Sequence, residues 1–152
     1  MGKVLQEHLS NFRDKVKDSI KNRKKIHVTT HIDCDGITSG SIITNGLIRA
    51  GARCTVRTTN EFSSNLVQNL RNEKSDLHII TDLGGGFGKE IKENLGDNWF
   101  VLDHHEITEE EHEFQNVINA WKFGIDGGKE ICAGGMAYLA ALSLDKKNND
   151  LS

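Results

Sequence analysis

The 152-residue chain carries a formal net charge of −3 and is 36% hydrophobic and 27% charged, a globular composition long enough to bury one core without disulfide or metal staples. Mild acidity argues against coating nucleic acid through bulk positive charge, though not against a nucleic-acid substrate where bound cations reverse the local sign. No run approaches the roughly 18 apolar residues of a membrane span, the opening residues lack a signal-peptide core, and Cys34, Cys54 and Cys132 form neither a disulfide framework nor a paired zinc motif; a cytoplasmic protein with reduced thiols is expected.

Leu5, Leu9, Phe12, Val16 and Ile20 recur at helical steps, which predicts an amphipathic helix over residues 4–23. Its last turn gathers Lys21, Arg23, Lys24 and Lys25, cations that suit the negative helix end. Extended and helical segments then alternate: 26–30 extended, 36–50 helical, 53–58 extended, 63–72 helical, 77–81 extended. A glycine turn at Gly84-Gly85-Gly86, a helix through Glu90 to Leu95 and an extended stretch from Trp99 to Leu102 follow. Val117 to Asn119 adds a short strand and Ala133 to Leu144 a closing helix. Short Val- and Ile-rich strands separated by helices imply an α/β fold: three layers, a mostly parallel sheet of about five strands, helices on both faces. The expected organisation is a helix over 1–24 packed on the domain, a single domain over 25–145, and a polar, frayed tail over 146–152.

The chemistry collects after three of these strands. The first runs into His31-Ile32-Asp33-Cys34-Asp35-Gly36, where alternate residues of an extended or turning segment share one side. Gly36 lets the chain turn into the next helix, whose first N–H groups are a potential phosphate seat. The third strand ends at Asp82 and the fourth at Asp103-His104-His105. Alone, Asp82 reads as a helix cap; beside the other two clusters at one edge of a parallel sheet it reads as a ligand. Carboxylates neutralise hard divalent cations, imidazole adds affinity for Mn²⁺-type ions, and loops after parallel strands are where such a sheet exposes its ligands. Cys34 reads as packing. His8, His27, His78 and His112 read as structural or exposed, and the acidic run from Glu109 to Glu113 as a solvated face. Phe62, Phe87, Trp121, Phe123 and Tyr138 are the few aromatics available to stack on bases, Trp121 and Phe123 reading more as packing.

The ordered set His31-x-Asp33-x-Asp35-Gly36, Asp82 and Asp103-His104-His105 resembles the DHH phosphoesterase superfamily over residues 25–145. The stretch from Phe123 to Ile131, followed by Ala133-Gly134-Gly135, is most similar to its archaeal RecJ-like branch. The resemblance implies a two-metal hydrolase of phosphodiester or phosphoanhydride bonds using Mn²⁺ or Mg²⁺. By that resemblance His31 and Asp33 hold one ion, Asp35 and His104 the other, and Asp82 bridges them. Asp103 then orients the His104 imidazole and His105 contacts the scissile phosphate. Family members also carry a further metal-binding aspartate downstream and a glycine-rich substrate-binding domain, DHHA1, neither of which occurs in these residues. Asp126 and Asp145 have no context that marks them as substitutes. The expectation is therefore the N-terminal catalytic portion of a single-strand-specific exonuclease acting in DNA repair or replication on single-stranded DNA or RNA, weak or inactive by itself. Two alternatives stand beside it: a non-catalytic scaffold for the GINS replication complex, and a small-molecule or oligonucleotide phosphatase of the same superfamily.

Overall fold

A computed structural model describes residues 2–152. Five strands form one sheet: β1 (Lys25–His31), β2 (Arg53–Thr59), β3 (Leu77–Thr81), β4 (Trp99–Asp103) and β5 (Val117–Asn119). Their order is β2-β1-β3-β4-β5, and every neighbouring pair is parallel, with Val28 opposite Val56 and Ile79, and Ile80 opposite Val101. The sheet is thus wholly parallel. The α-helices are α1 (Gly2–Lys21), α2 (Cys34–Arg49), α3 (Ser64–Asn72), α4 (Gly88–Leu95) and α5 (Ala133–Leu144), with short 3₁₀ turns at Glu109–Glu113, Ala120–Phe123 and Lys146–Leu151.

A parallel sheet covered on both faces needs apolar residues in succession, and β3 and β4 are buried at every position. Successive residues then serve opposite cores. Val28, Ile79, Phe100 and Leu102 meet Phe12 and Val16 of α1, Ile43 and Leu47 of α2 and Met136 and Ala140 of α5. Ile80, Val101 and Trp99 meet Leu66, Val67 and Leu70 of α3 and Ile91 of α4. From β1 the chain winds outward through α2 to β2, then returns across β1 to β3 and proceeds the other way to β4 and β5. The order therefore reverses between β1 and β3, and loops leaving those two strands part toward opposite faces, opening a crevice at their carboxyl ends.

The first helix spans 2–21 instead of 4–23, and its buried stripe includes His8 and Ser19 besides Leu5, Phe12 and Val16. Two expectations about polar residues change and one holds. The tail is not frayed: Asn148 is buried and its amide donates to the Ala141 carbonyl, supplying one of the donors that the last turn of α5 lacks, while Arg49 holds Asp150 through two hydrogen bonds. The acidic run is not a uniformly solvated face, because Glu111 is buried and accepts the Gly88 N–H at the start of α4. His8, His27 and His78 are all buried structural residues; His8 Nδ1 hydrogen-bonds the Gln115 carbonyl and the ring packs edge-on against Phe123. Among the described residues no helix is long and apolar enough to cross a membrane.

Candidate metal centre

Each donor is placed by a local rule. His31 closes β1, and its Nε2 lies 3.2 Å from the Asn60 carbonyl. A carbonyl only accepts, so Nε2 carries the proton and Nδ1 keeps a free lone pair. That Nδ1 sits 2.9 Å from Asp33 Oδ2 and 3.7 Å from Asp82 Oδ2. Asp33 is the N-cap of α2, its Oδ1 accepting from Gly36 N at 2.8 Å. The seat at this helix start that the sequence offers to a phosphate is thus taken by Asp33. The Gly36 hydrogen bond holds the Asp33 carboxyl below its ordinary range.

Asp35, near the start of the same helix, reaches across to the start of α5. Its Oδ2 and Oδ1 accept from Ala133 N at 2.8 Å and Gly134 N at 2.9 Å. Cys132, the residue before α5, makes no side-chain cap hydrogen bond, so a carboxylate from α2 satisfies the first amides of α5 instead. The same Asp35 Oδ2 is 3.4 Å from His104 Nε2.

Asp82 follows β3 with φ +63°, in the left-handed region that non-glycine residues seldom adopt. This conformation folds its side chain inward: it is 2% exposed, Oδ1 lies 3.3 Å from His104 Nε2, and buried Oδ2 has no hydrogen-bond partner. Burial, together with Asp33 and Asp35 nearby, pushes its pKa up to about 6.

Asp103 ends β4, fully buried. Its Oδ1 accepts from His104 N at 2.8 Å and from the His105 ring Nδ1 at 2.8 Å, and its Oδ2 accepts from Gly85 N at 3.0 Å. Gly85 is required there, since a Cβ would stand 2.7 Å from that Oδ2. Burial opposes ionisation of Asp103, yet the His105 ring and these N–H groups keep its carboxyl below the usual range. The hydrogen bond to Asp103 raises His105 to about 9, so its half-exposed ring is an imidazolium at neutral pH. This corrects one expectation: Asp103 holds the ring of His105 and only the backbone of His104. The His104 ring is held by the Gly127 carbonyl, 2.7 Å from its Nδ1, which leaves Nε2 bare. Gly127 permits this approach, because a Cβ there would fall 1.8 Å from the His104 carbonyl oxygen.

All seven residues singled out by the sequence thus meet at the carboxyl ends of β1, β3 and β4. Two clusters of ligand-type atoms arise, His31-Asp33-Asp82 and Asp82-His104-His105, each mutually within 4.8 Å, and Asp82 belongs to both; the protonated His105 offers no lone pair, and Asp35, outside both clusters, reaches the second through His104 Nε2 at 3.4 Å. Three carboxylates, two imidazole lone pairs and a buried oxygen without a partner fit hard divalent cations. Cys34 is exposed and so is not the packing residue expected, though it takes no part in the centre, and Trp121 is structural, its indole N–H donating to the His104 carbonyl. Sequence reasoning missed the Asn60 and Gly127 carbonyls and the α5 amides; backbone groups carry no side-chain signature, and the pair Gly127-Gly128 was the one visible hint. A cleft of about 350 Å³ opens beside the centre, its lining shared by His31, Asp82 and His105 of the centre with Phe62 and Phe87.

A doubly wound parallel sheet with acids and imidazoles at its reversal point defines an α/β domain built to hold a charged ligand in that crevice. The chain belongs to the DHH family: the model of the DHH family, N-terminal domain, matches residues 25–152. It is 34% identical over 134 residues to an uncharacterised protein of Methanocaldococcus jannaschii, covering 83% of this chain and 31% of that protein. It is 28% identical over 154 residues to YorK of Bacillus subtilis, SPbeta prophage-derived and named as a single-strand DNA-specific exonuclease, covering 96% of this chain and 27% of YorK. The chain therefore spans about a third of the length of these relatives. Its fold matches RecJ from Thermus thermophilus in complex with Mn²⁺, with a TM-score of 0.73 at 22% identity over 92% of this chain and 21% of RecJ.

Proposed function

We propose that this chain is the metal-binding portion of a RecJ-like exonuclease that hydrolyses phosphodiester bonds in single-stranded nucleic acid with Mn²⁺ or Mg²⁺. A pair of divalent cations, when bound, supplies an acidified water and neutralises charge on the phosphate oxygens. His31 Nδ1 and Asp33 would hold one ion, Asp35 and His104 Nε2 the other, with Asp82 available to both. The carbonyls of Asn60 and Gly127 hold the two imidazoles in the tautomers that leave those nitrogens unprotonated. Asp103 keeps the His105 ring protonated and steady, a cation toward which a phosphate oxygen is drawn. No serine or cysteine nucleophile is needed.

The observation that carries this reading is Asp82: a buried carboxylate with one oxygen unpartnered, set in a left-handed backbone between two imidazole nitrogens. Such an arrangement destabilises the protein unless a cation completes it. A scaffold role gives no reason for it. Titration of Mn²⁺ into the protein by calorimetry tests the proposal. Saturable binding that Asp82→Ala abolishes is expected; no binding, or binding indifferent to Asp82→Ala, overturns it.

A further inference from the structure

We infer that the cleft beside the acid cluster is a nucleobase site, with Phe62 and Phe87 as the stacking surface that restricts the centre to unpaired nucleotides; this rests on the function proposed above. The cleft of about 350 Å³ falls at the lower end of the roughly 300–1,000 Å³ typical of ligand pockets. It continues directly from His31, Asp82 and His105, so a nucleotide whose phosphate meets the centre carries its base to this wall. The wall is aromatic. Phe62, from the loop after β2, and Phe87, from the loop after β3, lie with ring centroids 4.9 Å apart and planes tilted by 54°. Each ring is half-buried, resting on the α3–α4 core while lining the cleft.

The charges around the cleft decide which part of a nucleotide enters it. Glu61 and Glu106 stand at its rim, both exposed, and no lysine or arginine lines it. Two carboxylates repel a phosphate but accept hydrogen bonds from the amino edges of a heterocycle. A phosphate belongs instead beside the donors that would hold the cations. The cleft therefore suits the uncharged, flat, donor-bearing part of a nucleotide. Gly84 keeps the passage open: a Cβ there would lie 3.3 Å from the Phe62 ring. Stacking on phenylalanine is tolerant of sequence, and a base offers its face to it only when it has left the duplex stack.

The test uses the full chain with Mg²⁺ and a dinucleotide bearing 2-aminopurine, whose fluorescence falls when the base stacks. The expected result is quenching on binding, with affinity reduced about tenfold by Phe62→Leu and retained by Phe62→Trp. A dinucleotide with an abasic sugar in the same place is expected to bind both the unsubstituted protein and Phe62→Leu equally weakly. Mn²⁺ titration of each variant is run alongside. Preserved Mn²⁺ binding with no quenching, or with equal affinity for the base-bearing and abasic ligands, overturns the base site and leaves the proposed function standing. Loss of Mn²⁺ binding by the unsubstituted protein overturns both.

Discussion

The two ends of the sheet each bury ionisable groups, but they treat charge in opposite ways. At the amino end, His27 and His78 have ring centroids 5.9 Å apart, and Glu73 sits between His27 Nε2, at 3.2 Å, and the guanidinium of Arg57. Charge is matched there by the Glu73–Arg57 pair even though His27 Nε2 and His78 Nδ1 make no hydrogen bond, and burial lowers both histidines, His78 to about 4. At the carboxyl end, Asp33, Asp35 and Asp82 converge with only imidazoles for company, and among the described residues no lysine or arginine pairs with any of them. A buried polar cluster that serves the fold closes its own charge; one that leaves charge open is waiting for something brought from outside.

Substituting one acid at each end gives the strongest test of that contrast. Asp82→Asn keeps the shape and tolerates the left-handed backbone, so Mn²⁺ affinity is expected to fall about 100-fold or more by calorimetry. The metal-free variant should nevertheless be more stable than the unsubstituted protein by about 1–2 kcal/mol in urea unfolding at about pH 7.5, since it no longer ionises a buried acid whose pKa is raised to about 6. Glu73→Gln at the other end should do the reverse, costing about 1–3 kcal/mol of stability with Mn²⁺ affinity intact. If both variants lose stability, the two ends are not different in kind.

The next effect belongs to the amino end alone. His78 titrates near 4 in the folded protein against 6.5 unfolded, so below 6.5 the unfolded chain takes up the proton first. Its contribution is whole above pH 6.5 and is lost as pH falls toward 4, about 2–3 kcal/mol in all. His78→Leu should flatten the pH dependence of stability across that window, and an unchanged slope would remove His78 from the account. Smallest is the proton linkage at the carboxyl end. Asp82 must be ionised to hold a cation, so Mn²⁺ affinity should be level above about pH 6 and drop by about tenfold per pH unit below it. Asp82→Asn loses this dependence together with the binding.

Much of this was legible in the residues. The β3 run Leu77-His78-Ile79-Ile80-Thr81 and the β4 run Trp99-Phe100-Val101-Leu102 are too continuously apolar for a half-exposed sheet, which makes them central parallel strands, and the polar clusters after them mark the edge where ligands collect. The convergence of His31, Asp82 and His104 followed from that edge. What stayed hidden was the part played by the backbone and by long-range pairing. Nothing in the tripeptide Asp103-His104-His105 tells which imidazole the aspartate holds, because that depends on a turn whose geometry Gly85 and Gly127 set from other segments. Asn148 and Glu111 looked solvent-exposed in sequence for the same reason: each caps a helix whose end is brought to it only by the tertiary fold.

The segment from Gly127 to Gly134 grips the centre twice, by its carbonyl on His104 and by its amides on Asp35. These two side chains come from opposite halves of the chain, yet both hang from one strap. Anything that pulls the strap away, whether heat, a protease cut or a domain leaning on α5, slackens both anchors in the same movement. His104 and Asp35 are therefore built to let go together, while His31, Asp33 and Asp82 keep their own anchors.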